Sequence, residues 1–130
     1  MRFLMPNHPC DFEIPDDWWE EAGMNGFEPS ANAYQSLSGA KLVALHDIEP
    51  PYRKKTVQKD WRGFDRARLI SVLKGIATGA TIDPVPLQSL PLGEALLVPA
   101  PYGFRVHDGY HRFYASIAAG FSMLPGAIPS

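Results

Sequence analysis

The residues best placed to do chemistry lie at a junction between two predicted elements, in RVHDGYHRFYASIAAG (105–120). An alternating segment of β type runs through Asp108 and Gly109 into apolar residues at helical spacing. Gly109 allows the backbone to turn tightly, and Asp108 is a candidate N-cap. The pattern therefore predicts a strand that passes directly into a helix over 110–119.

This junction has the composition of a small anion site. We expect the first helical amides, at Gly109, Tyr110 and His111, to point outward beside the positive end of the helix dipole. Arg112 adds a planar guanidinium suited to phosphate, and His111 adds a donor whose charge changes near neutral pH. The Asp108 carboxylate argues against the site, because it can satisfy the same amides and repels a phosphate. The alternative is an ordinary capped helix with His111 and Arg112 on its solvent-exposed face.

Composition argues against several other kinds of chemistry. The only cysteine, Cys10, excludes an internal disulfide and suits a reducing compartment. His107 and His111 straddle the strand–helix junction with no third ligand in view, so no metal site is predicted. No apolar run approaches the ~20 residues of a membrane span, and the first ten residues lack the apolar core of a signal peptide. A cytoplasmic protein without membrane contact is expected.

The rest of the chain predicts the elements that must hold this junction. A helix is predicted over 64–79, with apolar residues at helical spacing between a candidate N-cap and a terminal glycine: Leu69, Val72, Leu73 and Ile76, with Asp65 and Gly79 at the ends. Strands are predicted at 41–48, 82–90, 94–100, 103–108 and 123–128, and a basic loop at 52–63. This order predicts an α+β domain: a small mixed sheet packed with helices.

Residues 1–40 are interpreted as an acidic N-terminal extension preceding a domain at 41–130. A helix of roughly two turns is predicted after Pro15. Its adjacent Trp18 and Trp19 point about 100° apart. We expect the pair to pack onto the core, and a dimer contact or a ligand lid is the alternative.

The net charge of −2 conceals two segments of opposite sign. Residues 1–30 hold seven acids and one base, and residues 53–68 hold seven bases and two acids. The acidic segment is expected to lie across the basic one, in the same chain or in a partner chain. Two separate solvated surfaces fit the pattern equally well.

Several motifs together resemble the ParB/sulfiredoxin superfamily. In that family a strand ends in a Gly-x-x-Arg phosphate-binding turn that opens a helix, and a G-x-x-x-(I/L)-P segment enters the last strand. DGYHRFYASIAAGFSMLPGAI matches this arrangement. LVALHDIEPPYRKK is similar to the first strand with its Pro-x-Arg turn, and GFDRARLISVLKGIATGATIDPVPL to the first helix and the entry to the next strand. The resemblance covers residues 41–128.

The resemblance implies a nucleotide phosphate held by the turn at 108–112, with Arg53 on the opposite side. Mg²⁺ accompanying ATP, ADP or CTP is the implied cofactor. One branch of the superfamily phosphorylates free serine through acids near the end of the first strand, which makes Asp47 and Glu49 candidate catalytic residues, one of them as general base. Glu49 as an exposed loop acid is the alternative.

Departures from the family pattern narrow the function. Tyr110 stands where sulfiredoxins carry cysteine, so reduction of sulfinic acid is not expected. Partition proteins carry Glu-Arg-Arg where this chain has Tyr-His-Arg, and they continue into a helix-turn-helix domain, whereas this chain ends at Ser130. Sequence-specific DNA binding is therefore not expected.

Two functions follow from these patterns. The first is binding of a nucleotide or another phosphorylated small molecule, extended in one version to nucleotide hydrolysis or phosphotransfer. The alternative is a non-catalytic interaction module that forms a homodimer or binds a protein partner through the N-terminal extension. A DNA-associated nuclease ranks last, because no cluster of carboxylates suits two-metal chemistry.

Overall fold

The computed structural model describes residues 1–6, 11–49, 64–90 and 102–128, and shows a mixed α+β architecture. Its strands are β1 (Arg2–Leu4), β2 (Asp11–Glu13), β3 (Lys41–Ala44), β4 (Ile48–Glu49), β5 (Val85–Ser89), β6 (Phe104–Val106) and β7 (Met123–Ala127). Its helices are α1 (Asp16–Glu21), α2 (Arg66–Thr78) and α3 (Tyr110–Ala119). The predicted strand at 94–100 and the predicted loop at 52–63 lie outside the described residues. The α+β prediction is confirmed.

The main sheet has five strands in the order β3-β7-β5-β6-β4. β3 pairs with β7 and β5 with β6 in antiparallel fashion, whereas β5–β7 and β4–β6 are parallel. The two edge strands β3 and β4 are joined only by a 3₁₀ turn at Leu45–Asp47. Four strand spacings in a flat sheet measure about 19 Å, which is more than so short a turn can span. The sheet must therefore curl strongly.

The 3₁₀ turn corrects the prediction of one continuous strand over 41–48. The Leu45 amide still donates to the carbonyl oxygen of Ser122 at 3.0 Å, which extends the β3–β7 register by one residue into the turn. Ile48 then pairs in parallel with Phe104 on β6. An apolar run indicates burial but does not show which strand it pairs with. The sequence pattern therefore could not predict that the chain changes its partner from β7 to β6 at this turn.

The two long helices begin and end where local sequence predicts. Asp65 is the N-cap of α2, and its carboxylate accepts a hydrogen bond from the Arg68 amide at 3.3 Å. Gly79, with φ +75°, ends α2, and Gly120, with φ +92°, ends α3. Both glycines take the left-handed conformation that a helix C′ position requires. The predicted helices at 64–79 and 110–119 are confirmed.

The core lies between the inner face of the sheet and the helices α2 and α3. Strand alternation turns Val43, Val85, Leu87, Leu124 and Ile48 to this face, where all are buried. Helix residues close the layer from the other side: Leu69, Ile70, Leu73 and Ile76 from α2, with Phe113, Tyr114, Ala115, Ala118 and Ala119 from α3.

The N-terminal segment packs into this same core. Phe12, Ile14, Trp19 and Met24 are buried there. Trp18 is partly buried against it, so the expectation that both tryptophans pack onto the core is confirmed. The sequence pattern missed the β1–β2 ribbon, because three-residue strands are too short to show an alternation.

No helix within the described ranges is both long enough and apolar enough to cross a membrane.

Candidate functional site

A cleft of about 450 Å³ opens where the starts of α2 and α3 meet. From α2 it is lined by residues of the first two turns, Ala67, Arg68, Ser71 and Val72. From α3 it is lined by Asp108, Gly109, Tyr110, His111 and Arg112. The whole predicted turn at 108–112 therefore faces one cavity, together with a helix wall that the sequence pattern did not assign to it.

Gly109, and not Asp108, is the N-cap of α3. Gly109 has φ +83° and ψ +37°, a left-handed conformation that side chains disfavour. The Asp108 carboxylate accepts the Gly109 amide at 2.8 Å, so one of the three amides expected to face a ligand is already bonded within the protein. The prediction of an Asp108 cap was wrong, because the left-handed residue that immediately precedes the helix is Gly109, one position further along.

Arg112 folds back over Gly109 and is anchored on one edge. Its Nη1 donates to the carbonyl oxygens of Pro84 at 2.8 Å and Asp83 at 3.2 Å. A Cβ on Gly109 would lie 2.4 Å from Nη2, so any side chain at this position would displace the guanidinium from where it is anchored. Both bonds use Nη1, and within the described residues no bond uses Nη2 or Nε. These two donors remain for a ligand.

Tyr34 supports the loop that anchors Arg112. Its buried hydroxyl donates to the Asp83 carbonyl oxygen at 2.8 Å, the same oxygen that receives Arg112. Burial raises the pKa of Tyr34, and the positive charge of Arg112 opposes that rise. The Ser36 hydroxyl donates to the Ile82 carbonyl at 2.6 Å. The segment after α1 therefore fixes the position of the guanidinium.

His111 is buried and does not lie on a solvent-exposed face, which corrects the capped-helix interpretation. Its side chain is 7% exposed, and its Nε2 accepts the Asp65 backbone amide at 3.0 Å. Nε2 is therefore an acceptor committed to the start of α2. Helical periodicity could not reveal this contact, because its two partners lie 46 positions apart in sequence.

Aromatic rings connect the cleft to the N-terminal ribbon. The Tyr110 ring lies 4.2 Å from His111, and the Phe64 ring lies 5.8 Å from His111. Phe64 also contacts Tyr114 at 5.5 Å, and Tyr114 contacts Phe12 on β2 at 4.9 Å. This cluster of rings packs against the start of α3 and stabilises its position.

Arg68 and Ser71 are the cleft residues that sequence reasoning missed. They are three positions apart on α2 and so share one helix face. The Arg68 side chain is 77% exposed, and among the described residues its ion-pair partner is the Asp65 carboxylate, 4.0 Å away. Arg68 and Arg112 each occupy the third position of a helix, and neither helix has an acid in its first turn. That shared departure from the usual helix start was a readable signal.

The candidate catalytic acids lie outside this cleft. Asp47 Oδ1 accepts the Gly103 amide at 3.2 Å, and Glu49 Oε2 pairs with Arg105 Nε at 2.6 Å. Glu49 stands directly opposite Arg105 in the β4–β6 pair. Burial, together with the Glu49 charge, raises the pKa of Tyr102. Both acids are engaged where β4 pairs with β6, and a catalytic role for them stays a prediction.

The basic segment at 53–68 is described only from residue 64. Arg53, the phosphate contact implied by the resemblance, lies outside the described residues and stays a prediction. Arg66 pairs with Glu21 at the end of α1. At this contact the acidic and basic segments meet within one chain. Among the residues that the structure covers, no group of three His, Cys, Asp or Glu side chains is arranged to hold a metal ion.

Comparison of the chain with protein-family models, with curated proteins and with solved structures found no match.

Proposed function

We propose that the cleft between the starts of α2 and α3 binds the phosphate groups of a nucleotide, and that the chain is a ParB/sulfiredoxin-like nucleotide-binding domain. One observation carries the proposal. Arg68 and Arg112 come from the first turns of two different helices, and both line the same cleft. Two guanidinium groups beside two helix N-termini make an environment that favours a multiply charged anion.

The electrostatics of the two helix starts support this ligand class. An arginine in a first turn opposes the helix dipole, at a cost of about 0.3–1 kcal/mol for each exposed charge. A phosphate bound in the cleft would make the net electrostatic energy favourable, because its negative charge attracts both the positive ends of the helix dipoles and the guanidinium groups. α1 has the opposite arrangement, with Asp16 and Asp17 in its first turn. Acids therefore lie inside the first turn of α1, whereas at the cleft they lie only before the first turns, as the N-cap Asp65 and as Asp108.

The carboxylates of Asp65 and Asp108 lie immediately before these first turns and would repel a bare anion. They favour a nucleotide that arrives with Mg²⁺, because the cation offsets part of the phosphate charge. The Ser71 hydroxyl is a further donor on the α2 wall.

Element order is the second support for the superfamily assignment. β6 leads into Gly109 and α3, and Gly120 leads into β7, whose Leu124-Pro125 pair stands where the family pattern has its (I/L)-P pair. Binding is the function that these residues favour. Hydrolysis or phosphotransfer, and the alternative interaction module, stay predictions.

A thermal-shift series tests the proposal. Wild type is melted with ATP, ADP, CTP and GTP, each with and without Mg²⁺, and with sulfate as a non-specific anion. Ligand at a hundredfold excess over Kd stabilises by about 2.7 kcal/mol, which raises Tm by several degrees. We expect Arg68→Ala to lose the shift. Lys74→Ala, which removes an exposed base from the same helix outside the cleft, should keep it.

Two outcomes would overturn the proposal. One is the absence of a shift with every nucleotide. The other is an equal loss in Arg68→Ala and Lys74→Ala, since that result would indicate general charge attraction in place of a defined site.

A further inference from the structure

We propose that His111 is a positioning residue: in its neutral form it joins the starts of α2 and α3, and so holds Arg68 and Arg112 on facing walls of the cleft. The inference rests on the proposed phosphate binding. It replaces the role predicted from the sequence, in which His111 donates to the ligand, with one in which His111 accepts from the protein.

The direction of the hydrogen bond fixes the protonation state of the ring. The Asp65 backbone amide can only donate, so His111 Nε2, 3.0 Å away, must carry a lone pair. In the neutral imidazole the proton then lies on Nδ1. The ring is buried against Tyr110 and Phe64, which hold its plane. Nε2 is thus turned toward α2.

The same bond connects the two arginines of the cleft. Asp65 is the N-cap of α2, and its carboxylate accepts the Arg68 amide. His111 immediately precedes Arg112, whose guanidinium is anchored to Pro84. The link at His111 therefore sets the separation between the start of α2, which carries Arg68, and the start of α3, which carries Arg112.

Protonation of His111 would break this link. An imidazolium has N–H groups at both ring nitrogens, so Nε2 would present a donor to the donor of Asp65. The contact stabilises the fold while the ring is neutral. Because the unfolded chain binds the proton more readily, this stabilisation is lost as pH falls below about 6.5, the ordinary histidine pKa. Acidification should therefore loosen the cleft and weaken phosphate binding.

Other titratable and charged groups surround the ring. Those described near it are Asp65 and Arg68 at the start of α2, and Asp108, Tyr110, Arg112 and Tyr114 on and before α3. All of them are retained in variants of His111, so a comparison between His111 variants isolates the contribution of the imidazole.

Ligand-free melting tests the link itself. His111→Gln supplies an amide oxygen that accepts the Asp65 amide without titrating, and His111→Asn is a second acceptor variant if Gln packs poorly. Between pH about 8 and about 5.5, we expect Tm of the wild type to fall about 3–5 °C further than Tm of the acceptor variant. Equal acid losses in the two proteins would overturn the link.

Melting with ATP and Mg²⁺ tests the positioning role. The ATP-dependent shift should shrink on acidification more in the wild type than in His111→Gln, and protonation of ATP itself is common to both proteins. His111→Phe, which retains bulk but has no acceptor, should show a reduced shift at both pH values. Equal shrinkage in the wild type and the Gln variant would overturn the positioning role. A wild type without any ATP shift overturns the proposed function, whereas the ligand-free melts still report on the link.

Discussion

The cleft and the acidic pair Asp47 and Glu49 differ in how much of their charge is already engaged by contacts within the protein. In the cleft, the hydrogen bonds of Arg112 to described residues all use Nη1, and Arg68 is largely exposed, with only a 4.0 Å contact to Asp65 in that part of the chain. Glu49 on β4 is paired with Arg105, and Asp47 in the preceding 3₁₀ turn accepts the Gly103 amide. Charged groups with few contacts inside the protein favour a role in ligand binding, whereas charged groups paired between strands favour a role in stabilising the sheet. This difference separates the predicted phosphate site from the predicted catalytic site.

The pKa values of two nearby tyrosines respond to the opposite charges of the two regions. The positive charge of Arg112 lowers the pKa of Tyr34 against the larger rise that burial causes. At the other region the Glu49 charge adds to the effect of burial and raises the pKa of Tyr102.

Gly109→Ala should have the largest effect on stability. The variant combines the strain of φ +83° with a Cβ placed 2.4 Å from Arg112 Nη2. We expect a loss of about 2–4 kcal/mol in the free energy of unfolding, measured by urea denaturation. Gly79→Ala is the matched control, because Gly79 has φ +75° and nothing within 4 Å of its Cβ position. It should lose only about 1–2 kcal/mol.

A double variant that combines Gly109→Ala with Arg112→Ala removes the clash. It should therefore regain part of the extra stability that Gly109→Ala loses relative to Gly79→Ala. Equal losses at the two glycines would show that the guanidinium does not press on Gly109, and would weaken the account of the cleft.

The buried hydroxyl of Tyr34 should make the protein less stable at alkaline pH. Burial raises the pKa of Tyr34 above its unfolded value of about 10, so the protonated hydroxyl stabilises the fold below that pH. Above about pH 10 the unfolded chain ionises first, and stability should fall by about 1.4 kcal/mol per pH unit. Urea unfolding of the wild type and Tyr34→Phe at pH about 9 and about 11 measures this. An equally steep loss in Tyr34→Phe would assign the effect to other groups.

Glu49→Gln should have the smallest effect on stability. The ion pair with Arg105 is partly exposed, with side-chain exposures of 23% for Glu49 and 42% for Arg105, so its loss should cost about 0.5–1 kcal/mol. The pKa of Tyr102 should also fall, because the neighbouring negative charge is removed. An NMR titration of the Tyr102 ring checks the direction, and an unchanged pKa would show that burial alone is responsible.

Local sequence predicts much of the fold. α2 and α3 follow from apolar periodicity and the terminal glycines Gly79 and Gly120, because both signals act within one or two turns. The turn at Leu45–Asp47 was missed because it depends on which distant strand the backbone meets, and the β1–β2 ribbon was missed because three-residue strands are too short to show an alternation.

The candidate site was only partly predictable for the same reason. Residues 108–112 are continuous in sequence and were found together. Arg68 and Ser71 reach the cleft only through the packing of α2 beside α3. The buried role of His111 depends on Asp65, 46 positions away, and no local pattern encodes that contact.

The most direct test of the central claim compares the two regions with a single ligand. The nucleotide that gives the largest thermal shift is titrated calorimetrically into wild type, Arg68→Ala and Glu49→Gln. If the phosphate binds in the cleft, Arg68→Ala binds at least about tenfold more weakly, since a charged hydrogen bond contributes about 1.5–3 kcal/mol, and Glu49→Gln keeps the wild-type affinity. Wild-type affinity in Arg68→Ala with loss in Glu49→Gln would place the ligand at the acidic pair and overturn phosphate binding in the cleft.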